Sequence, residues 1–366
     1  MSALKDIYSP SFYDRFSEVL IKTIPDFDKQ RFIHLIFDAE FFQKELKDRM
    51  RHTTRVLHHF LPADFGKAVA LIKDIIEQLR RDNAPEDSLP YIFLPDYIET
   101  YGLEDYENSV KTIEFVTQFV SCEFAVRPFL IRYGDKMMDQ MLQWSLHKSH
   151  KVRRLASEGS RPRLPWAMAV PSLRKNPAAG LVILENLKND PFEYVRRSVA
   201  NHLNDISKDH PEVVLNVAKI WKGRTKETDA IVKHACRTLL KQGHREVLTL
   251  YSLVSKHICL AQFTLLTPQL SVGESLEFSL TIHNENEAVC TVRLEYAIYY
   301  RKQNGQLSKK VFKLSEREYK PNEQATIRRK QRFVPITTRK FYAGSHQLAI
   351  IINGEEKAPV DFELML

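Results

Sequence analysis

Val152-Arg153-Arg154-Leu155-Ala156-Ser157-Glu158-Gly159-Ser160-Arg161-Pro162-Arg163-Leu164-Pro165-Trp166 is the stretch whose reading decides the fold. An amphipathic helical segment ends in a carboxylate, and a glycine stops it. A loop follows in which two arginines alternate with two prolines before a tryptophan. A helix that only fills a core needs none of those charges.

The pattern returns about forty residues on, as Val195-Arg196-Arg197-Ser198-Val199-Ala200-Asn201-His202-Leu203-Asn204-Asp205. A fainter copy follows as Val232-Lys233-His234-Ala235-Cys236-Arg237-Thr238-Leu239-Leu240. Helical segments repeating at that period are the signature of paired-helix repeats of the HEAT or armadillo kind. Each unit buries its apolar face only against its neighbours, and the remaining faces form one concave surface.

The chain has 366 residues, 43% of them hydrophobic, which suggests two domains. No stretch approaches the roughly 18 consecutive apolar residues of a membrane helix, and Met1-Ser2-Ala3-Leu4-Lys5-Asp6 has no secretory apolar region. A cytoplasmic protein is expected. Cys122, Cys236, Cys259 and Cys290 are scattered, which argues against disulfides and a cysteine zinc site. The net charge of +8 favours an acidic partner, and the placement of the cations sharpens this: they concentrate on the repeat helices and the loop from Glu158 to Trp166.

Toward the N-terminus, apolar residues recur at helical spacing from Ser11 to about Arg80, as in Phe12, Phe16, Leu20 and Ile21, then Phe32, Leu35, Ile36 and Phe42. His52, His58 and His59 read as packing and polar-face residues, because no acidic or cysteine ligands share a workable spacing with them. Asp82 to Ser88 is a polar loop. One long helix is predicted from Asn108 to about Tyr133, with Glu123 inside it and pairing Arg127 at i,i+4 as the structural explanation. Three helix pairs follow: Asp135 to His147 with the Glu158 segment, Ala178 to Leu187 with Pro191 to Ile206, and Pro211 to Lys222 with Glu227 to Lys241.

Beyond about Leu260 the period changes to two. Short alternating runs are separated by Asn284-Glu285-Asn286, Asn304-Gly305, Pro321-Asn322 and Asn353-Gly354. Six or seven strands in about a hundred residues imply an immunoglobulin-like β-sandwich. The expected fold is therefore mainly α with a C-terminal β domain: a HEAT-like solenoid over residues 1–258 and a sandwich over 259–366.

Aligning Val152 with Val195 puts Glu158 at the position of Asn201, one turn from Asp205, so Glu158 and Asp205 should project from adjacent repeats toward one side. Glu123, one unit earlier, could complete a carboxylate cluster. One arginine of each pair fits a ladder to aspartates such as Asp190, which leaves Arg161, Arg163 and Trp166 unexplained. A basic concave face suits a phosphate backbone. Carboxylates there must meet something positive, such as an N-alkylated base or an oxocarbenium-like sugar.

At these residues the chain resembles the AlkC branch of the AlkC/AlkD family of bacterial DNA alkylation-repair glycosylases. The resemblance is carried by Glu123-Phe124-Ala125-Val126-Arg127-Pro128-Phe129, by the stretch through Trp166, and by Tyr194 to Asp205, and it is firmest over Asp135 to Gly243. Some AlkC members also carry an immunoglobulin-like domain. The resemblance implies excision of N3-alkylated bases, 3-methylcytosine and 3-methyladenine, from duplex DNA without a metal or cofactor and without deep base flipping. Glu123, Glu158 and Asp205 would be the active carboxylates, with Trp166 near the lesion sugar.

Arg154, Arg161, Arg163, Arg197, Lys233 and Arg237 would grip phosphates. No lysine is placed as a Schiff-base nucleophile, so a monofunctional enzyme is expected. The β domain could clasp DNA through Arg328, Arg329, Lys330 and Arg332, and a bacterial monomer, nucleoid-associated when bound to DNA, is expected. The alternatives are a non-catalytic nucleic-acid-binding solenoid and a protein-interaction scaffold whose Arg-Pro-Arg loop takes an acidic peptide.

Overall fold

The computed structural model describes residues 3–253, 256–335 and 339–366. The chain divides into two compact units: Met1–His210 with Trp221–Ala235, and Pro211–Ile220 with Cys236–Leu366.

The first unit is helical. Its first four long helices are α1 (Pro10–Thr23), α2 (Lys29–Ile36), α3 (Leu46–His58) and α4 (Phe65–Arg81). Short polar side chains start several of them by accepting an orphan backbone N–H: Ser9 caps α1 just before Pro10, Asp28 caps α2 and Asp64 caps α4. The predicted stripes are largely inward, with Phe12, Phe16, Leu20, Phe32 and Ile36 buried. Ile21 and Phe42 are exceptions, both exposed. His52 Nε2 lies against the carbonyls of Leu35 and Ile36, and His58 Nδ1 against the Tyr97 hydroxyl, which gives both rings packing roles.

Next come α5 (Phe93–Tyr101), α6 (Tyr106–Val116) and α7 (Val126–Tyr133). The single helix expected from Asn108 to Tyr133 is thus two helices joined by residues 117–125. Pro128 explains the restart: it lacks an N–H and is tolerated in a first helical turn but not in an interior. The apolar pattern ran on because the connecting residues Phe119, Val120 and Cys122 are themselves buried. Glu123 consequently sits in the turn before α7 rather than on a helix.

Helices α8 (Asp135–Trp144), α9 (His150–Gly159), α10 (Pro171–Lys175), α11 (Ala178–Leu187), α12 (Glu193–Ile206) and, after an excursion into the second unit, α14 (Lys226–Ala235) complete this unit. Helix α9 packs on α8 and α12, and α12 packs on α11 and α14, so the two Val-Arg-Arg helices are direct neighbours. Asp190, expected to meet a repeat arginine, receives the Arg153 guanidinium and also accepts from Phe192 N at 2.9 Å.

The second unit contains α13 (Pro211–Trp221, whose last residue falls in the first unit), α15 (Arg237–Lys241), α16 (Arg245–Leu250) and eight strands. The predicted Glu227 to Lys241 helix is interrupted at Cys236, where ψ opens to −1° at a φ of −78°, still within the right-handed region. The strands are β1 (Ile258–Leu265), β2 (Gln269–Ser271), β3 (Ser275–Asn284), β4 (Cys290–Arg301), β5 (Leu307–Tyr319), β6 (Gln324–Arg332), β7 (Gly344–Ile352) and β8 (Glu355–Met365). They form a three-stranded sheet, β1-β3-β6, and a five-stranded sheet, β2-β8-β7-β4-β5.

Strict alternation places Leu276, Phe278, Leu280 and Ile282 of β3 in the sandwich core, with Leu294, Tyr296 and Ile298 of β4 and Leu348, Ile350 and Ile352 of β7. Asn353-Gly354 turns β7 into β8 with φ of 46° and 82°, the two positive values that a tight hairpin demands. On β6, Arg328 and Lys330 both reach Glu277 of the paired β3 strand. Among the described residues, no helix is long and apolar enough to cross a membrane.

Candidate active site

The Val-Arg-Arg helices use their two arginines differently. Arg153 Nη1 donates to the carbonyls of His147 and Lys148, and Arg196 Nη1 donates to those of Asp190 and Pro191. The first arginine of each pair thus ties down the chain entering its own helix, and Arg153 adds Asp190 at 2.5 Å. The second arginines, Arg154 and Arg197, point elsewhere. Arg197 is exposed and, with Arg196, Lys226, Glu227 and His234, lines a cavity of about 520 Å³ between α12 and α14.

Arg154 reaches into an alternating chain of charges. Its Nη1 donates to Glu123 Oε2 at 2.5 Å and to Ser121 Oγ at 2.9 Å, and its Nη2 lies 3.6 Å from Glu158 Oε1. Arg161 continues the chain, donating from Nη1 to Glu158 Oε1 at 2.6 Å and from Nε to Asp205 Oδ2 at 2.8 Å. Lys208 closes it at 3.1 Å from Asp205 Oδ1. The order is Glu123, Arg154, Glu158, Arg161, Asp205, Lys208. The predicted carboxylates therefore form one cluster, with Glu158 and Asp205 only 6% and 2% exposed.

Burying a carboxylate pushes its proton affinity up. At Glu158 that push is outweighed by the Arg154 and Arg161 guanidiniums and by the Ser198 hydroxyl donating to Oε2 at 2.6 Å, which together hold its carboxyl below the usual range. Arg154 in turn lies under the Tyr194 ring, 4.6 Å from its centroid. His202 is buried beside the cluster and, pushed down to about 4 by that burial, is neutral at physiological pH.

Of the arginines expected to grip phosphates, Arg154, Arg161 and Arg163 are engaged with carboxylates. Arg161 is 7% exposed and its guanidinium is divided between two carboxylates, and Arg154 is taken up by Glu123 and Glu158. Arg163 is held by Asp209 through two hydrogen bonds of 2.6 and 2.9 Å. Those bonds, with Arg174 alongside, bring Asp209 down to about 2. Lys233 and Arg237 are half-buried, Lys233 in the first unit and Arg237 in the second.

The expected Glu123–Arg127 pair is likewise not made. Arg127 is buried and donates to three carbonyls instead: Nη1 to Gly159 and Arg161 at 3.0 and 2.9 Å, and Nε to Met168 at 2.6 Å. Both ends of the Arg-Pro-Arg loop are thereby pinned to α7. Trp166, inside that loop, is 65% exposed. Gly159 is not a left-handed helix stop but a close approach of α9 to α7: a Cβ there would lie 2.6 Å from Val126 Cγ2 and 2.9 Å from Met141 Cε. Gly159→Ala should therefore lower unfolding stability by about 1–3 kcal/mol through overpacking, read as a lower denaturant midpoint with unchanged slope.

Comparison with known proteins was made against this geometry. Residues 259–366 match the family model described as the C-terminal Ig-like domain of the uncharacterised protein YhaZ. The uncharacterized protein YhaZ of Bacillus subtilis (strain 168) is 44% identical over 366 residues, covering all of both chains. The solved structure of the Pseudomonas fluorescens alkylpurine DNA glycosylase AlkC, bound to DNA containing an abasic site analog, covers 100% of both chains at 34% identity with a TM-score of 0.94. The chain belongs to the AlkC branch of the AlkC/AlkD family.

For an AlkC-family chain, the residues that sequence reading passed over are those that hold the carboxylates. Ser121, Tyr194, Ser198, Lys208 and Asp209 all act on the charged chain or its loop. Tyr194 and Ser198 lie within the quoted Tyr194 to Asp205 block, and helical spacing from Asp205 could have drawn attention to Ser198 and Lys208. Among the described residues, no group of three or more His, Cys, Asp or Glu is placed to hold a metal ion.

Proposed function

We propose that this protein is a monofunctional DNA glycosylase of alkylation repair, hydrolysing the N-glycosidic bond of cationic N3-alkylated bases in duplex DNA. The observation that carries this reading is the placement of Glu158 and Asp205, from adjacent helices, on either side of Arg161, with Glu123 bound to Arg154. Carboxylates fixed by paired cations, with the Glu158 carboxyl held below its usual range, present preorganised negative oxygens. They favour a positive charge on the lesion and the greater positive charge that develops on the sugar as the bond to the base breaks. Glu123 is the most accessible of the three, with a side chain 19% exposed, which suits it to orient the attacking water.

The fold likeness to the AlkC glycosylase, solved on DNA, supports double-stranded DNA as the partner. We read the stacked α8–α9 and α11–α12 pairs as HEAT-like repeats, and take residues 1–258 as the catalytic part and residues 259–366 as a second DNA-facing domain. Arg197, Lys233 and Arg237 remain the candidates for phosphate contacts, with Trp166 packing near the lesion sugar. The test is single-turnover incubation of the full chain with methylated duplex DNA, in which free 3-methyladenine and 3-methylcytosine should appear without strand cleavage through an imine. Intact DNA binding without base release would instead favour a damage-binding protein.

A further inference from the structure

Trp166 has a φ of 65°, in the left-handed region where a bulky aromatic persists only if its surroundings over-determine it. Pro165 precedes it, and Ala167 N donates to Leu164 O across the turn at 3.4 Å. Arg127 holds Met168 two residues later. The carbonyl of Trp166 itself receives the ammonium of Lys47, which belongs to α3, 119 residues earlier. That ammonium also lies over the Phe124 ring, 5.3 Å from its centroid, and Phe124 directly follows Glu123. An ammonium has three N–H donors and a full charge, so it can bond a carbonyl and meet an aromatic face together.

We infer that Lys47 is a positioning residue of the active site. By bridging the Trp166 carbonyl and the Phe124 ring, it holds the indole in its left-handed turn and ties that turn to the Glu123 segment. The catalytic consequence rests on the glycosylase reading, whereas the contact itself does not. Lys47 is exposed, and the buried carboxylate that its charge lowers, Glu99, is also held by Arg51, so removing Lys47 leaves the core packing intact. The role is invisible in sequence because it joins two segments distant in the chain through a backbone oxygen.

The protein contains its own reporter. Trp144 and Trp221 are buried and donate their indole N–H groups to Glu114 and Glu185 at 2.8 and 2.9 Å, so acrylamide-accessible emission comes from Trp166. In Lys47→Met the anisotropy of that accessible emission should fall, and the single-turnover excision rate should drop about tenfold, the scale of a small misplacement near the reacting centre. Lys47→Arg should restore both, and the cost of Lys47→Met should be smaller in a Trp166→Ala background, where no indole is left to hold. Unchanged anisotropy in Lys47→Met would overturn the inference. So would a salt slope of duplex binding reduced by about 0.9, which would mean that Lys47 neutralises a phosphate instead. If the unaltered chain released no base, the glycosylase reading would fail and the anisotropy comparison would still decide the contact.

Discussion

Asp205→Asn is expected to slow release of 3-methyladenine from methylated duplex DNA by at least about two orders of magnitude, roughly 3 kcal/mol of transition-state stabilisation. The substitution keeps the side-chain shape and removes the charge. Asp205 is 2% exposed, and its two oxygens face Arg161 and Lys208, so an amide retains an acceptor for one of them, and Arg161 keeps Glu158 as a counter-charge. The electrostatic field does change, from a carboxylate balanced by two cations to a site with excess positive charge beside a lesion that is itself positive. Glu158→Gln acts in the same direction, since Glu158 stands between Arg154 and Arg161.

Single-turnover rates at saturating enzyme isolate this chemical step from product release. Affinity for undamaged duplex, and its salt slope, should be equal in the parent and both variants. If Asp205→Asn and Glu158→Gln both cleaved at the parental rate, the carboxylates would be structural and the chemistry would have to lie elsewhere. If the rate loss followed the loss of binding, the charge would be serving affinity rather than the transition state.

The site was legible in sequence where it depends on helical period and obscure where it depends on chain crossings. Glu158 and Asp205 could be placed on one side because both lie on helices whose repeat offset is visible in the Val-Arg-Arg motif. Glu123 could be named, but not located correctly: Pro128 ends the possibility of one continuous helix, while Phe119, Val120 and Cys122 prolong the apolar pattern through a buried turn. The partners of the arginines were hidden for a different reason. Composition makes Arg154, Arg161 and Arg163 look like a basic face, yet each is matched to a carboxylate by a pairing that spans more than thirty residues. Net charge says nothing about such pairing. The sandwich was easier to read, because period-two alternation and the Asn-Gly turn are local signals and β3 follows them residue by residue.

Arg161→Met should destabilise the folded chain by about 3–5 kcal/mol, because removing one partner of a buried ion pair leaves the other uncompensated. Here two carboxylates lose their shared cation at once. Glu158 would retain Arg154 at 3.6 Å and the Ser198 hydroxyl, and Asp205 would retain Lys208, whose side chain is 37% exposed. Methionine fills much of the vacated volume, so the penalty is electrostatic more than steric.

The pH dependence distinguishes this origin from a packing defect. In the parent, Glu158 is held below its ordinary range. Its contribution to stability is therefore fully present above the unfolded carboxylate value and is lost only as pH falls through the lower folded value. In Arg161→Met, burial pushes Glu158 upward against weaker opposition, so protonation relieves the folded state as pH is lowered. Urea unfolding at pH 7 and pH 5 should then show the gap between parent and variant narrowing toward acid. A gap of the same size at both values would assign the loss to packing around residue 161. A gap below about 1 kcal/mol would mean that Arg154 and Lys208 suffice to hold the two carboxylates.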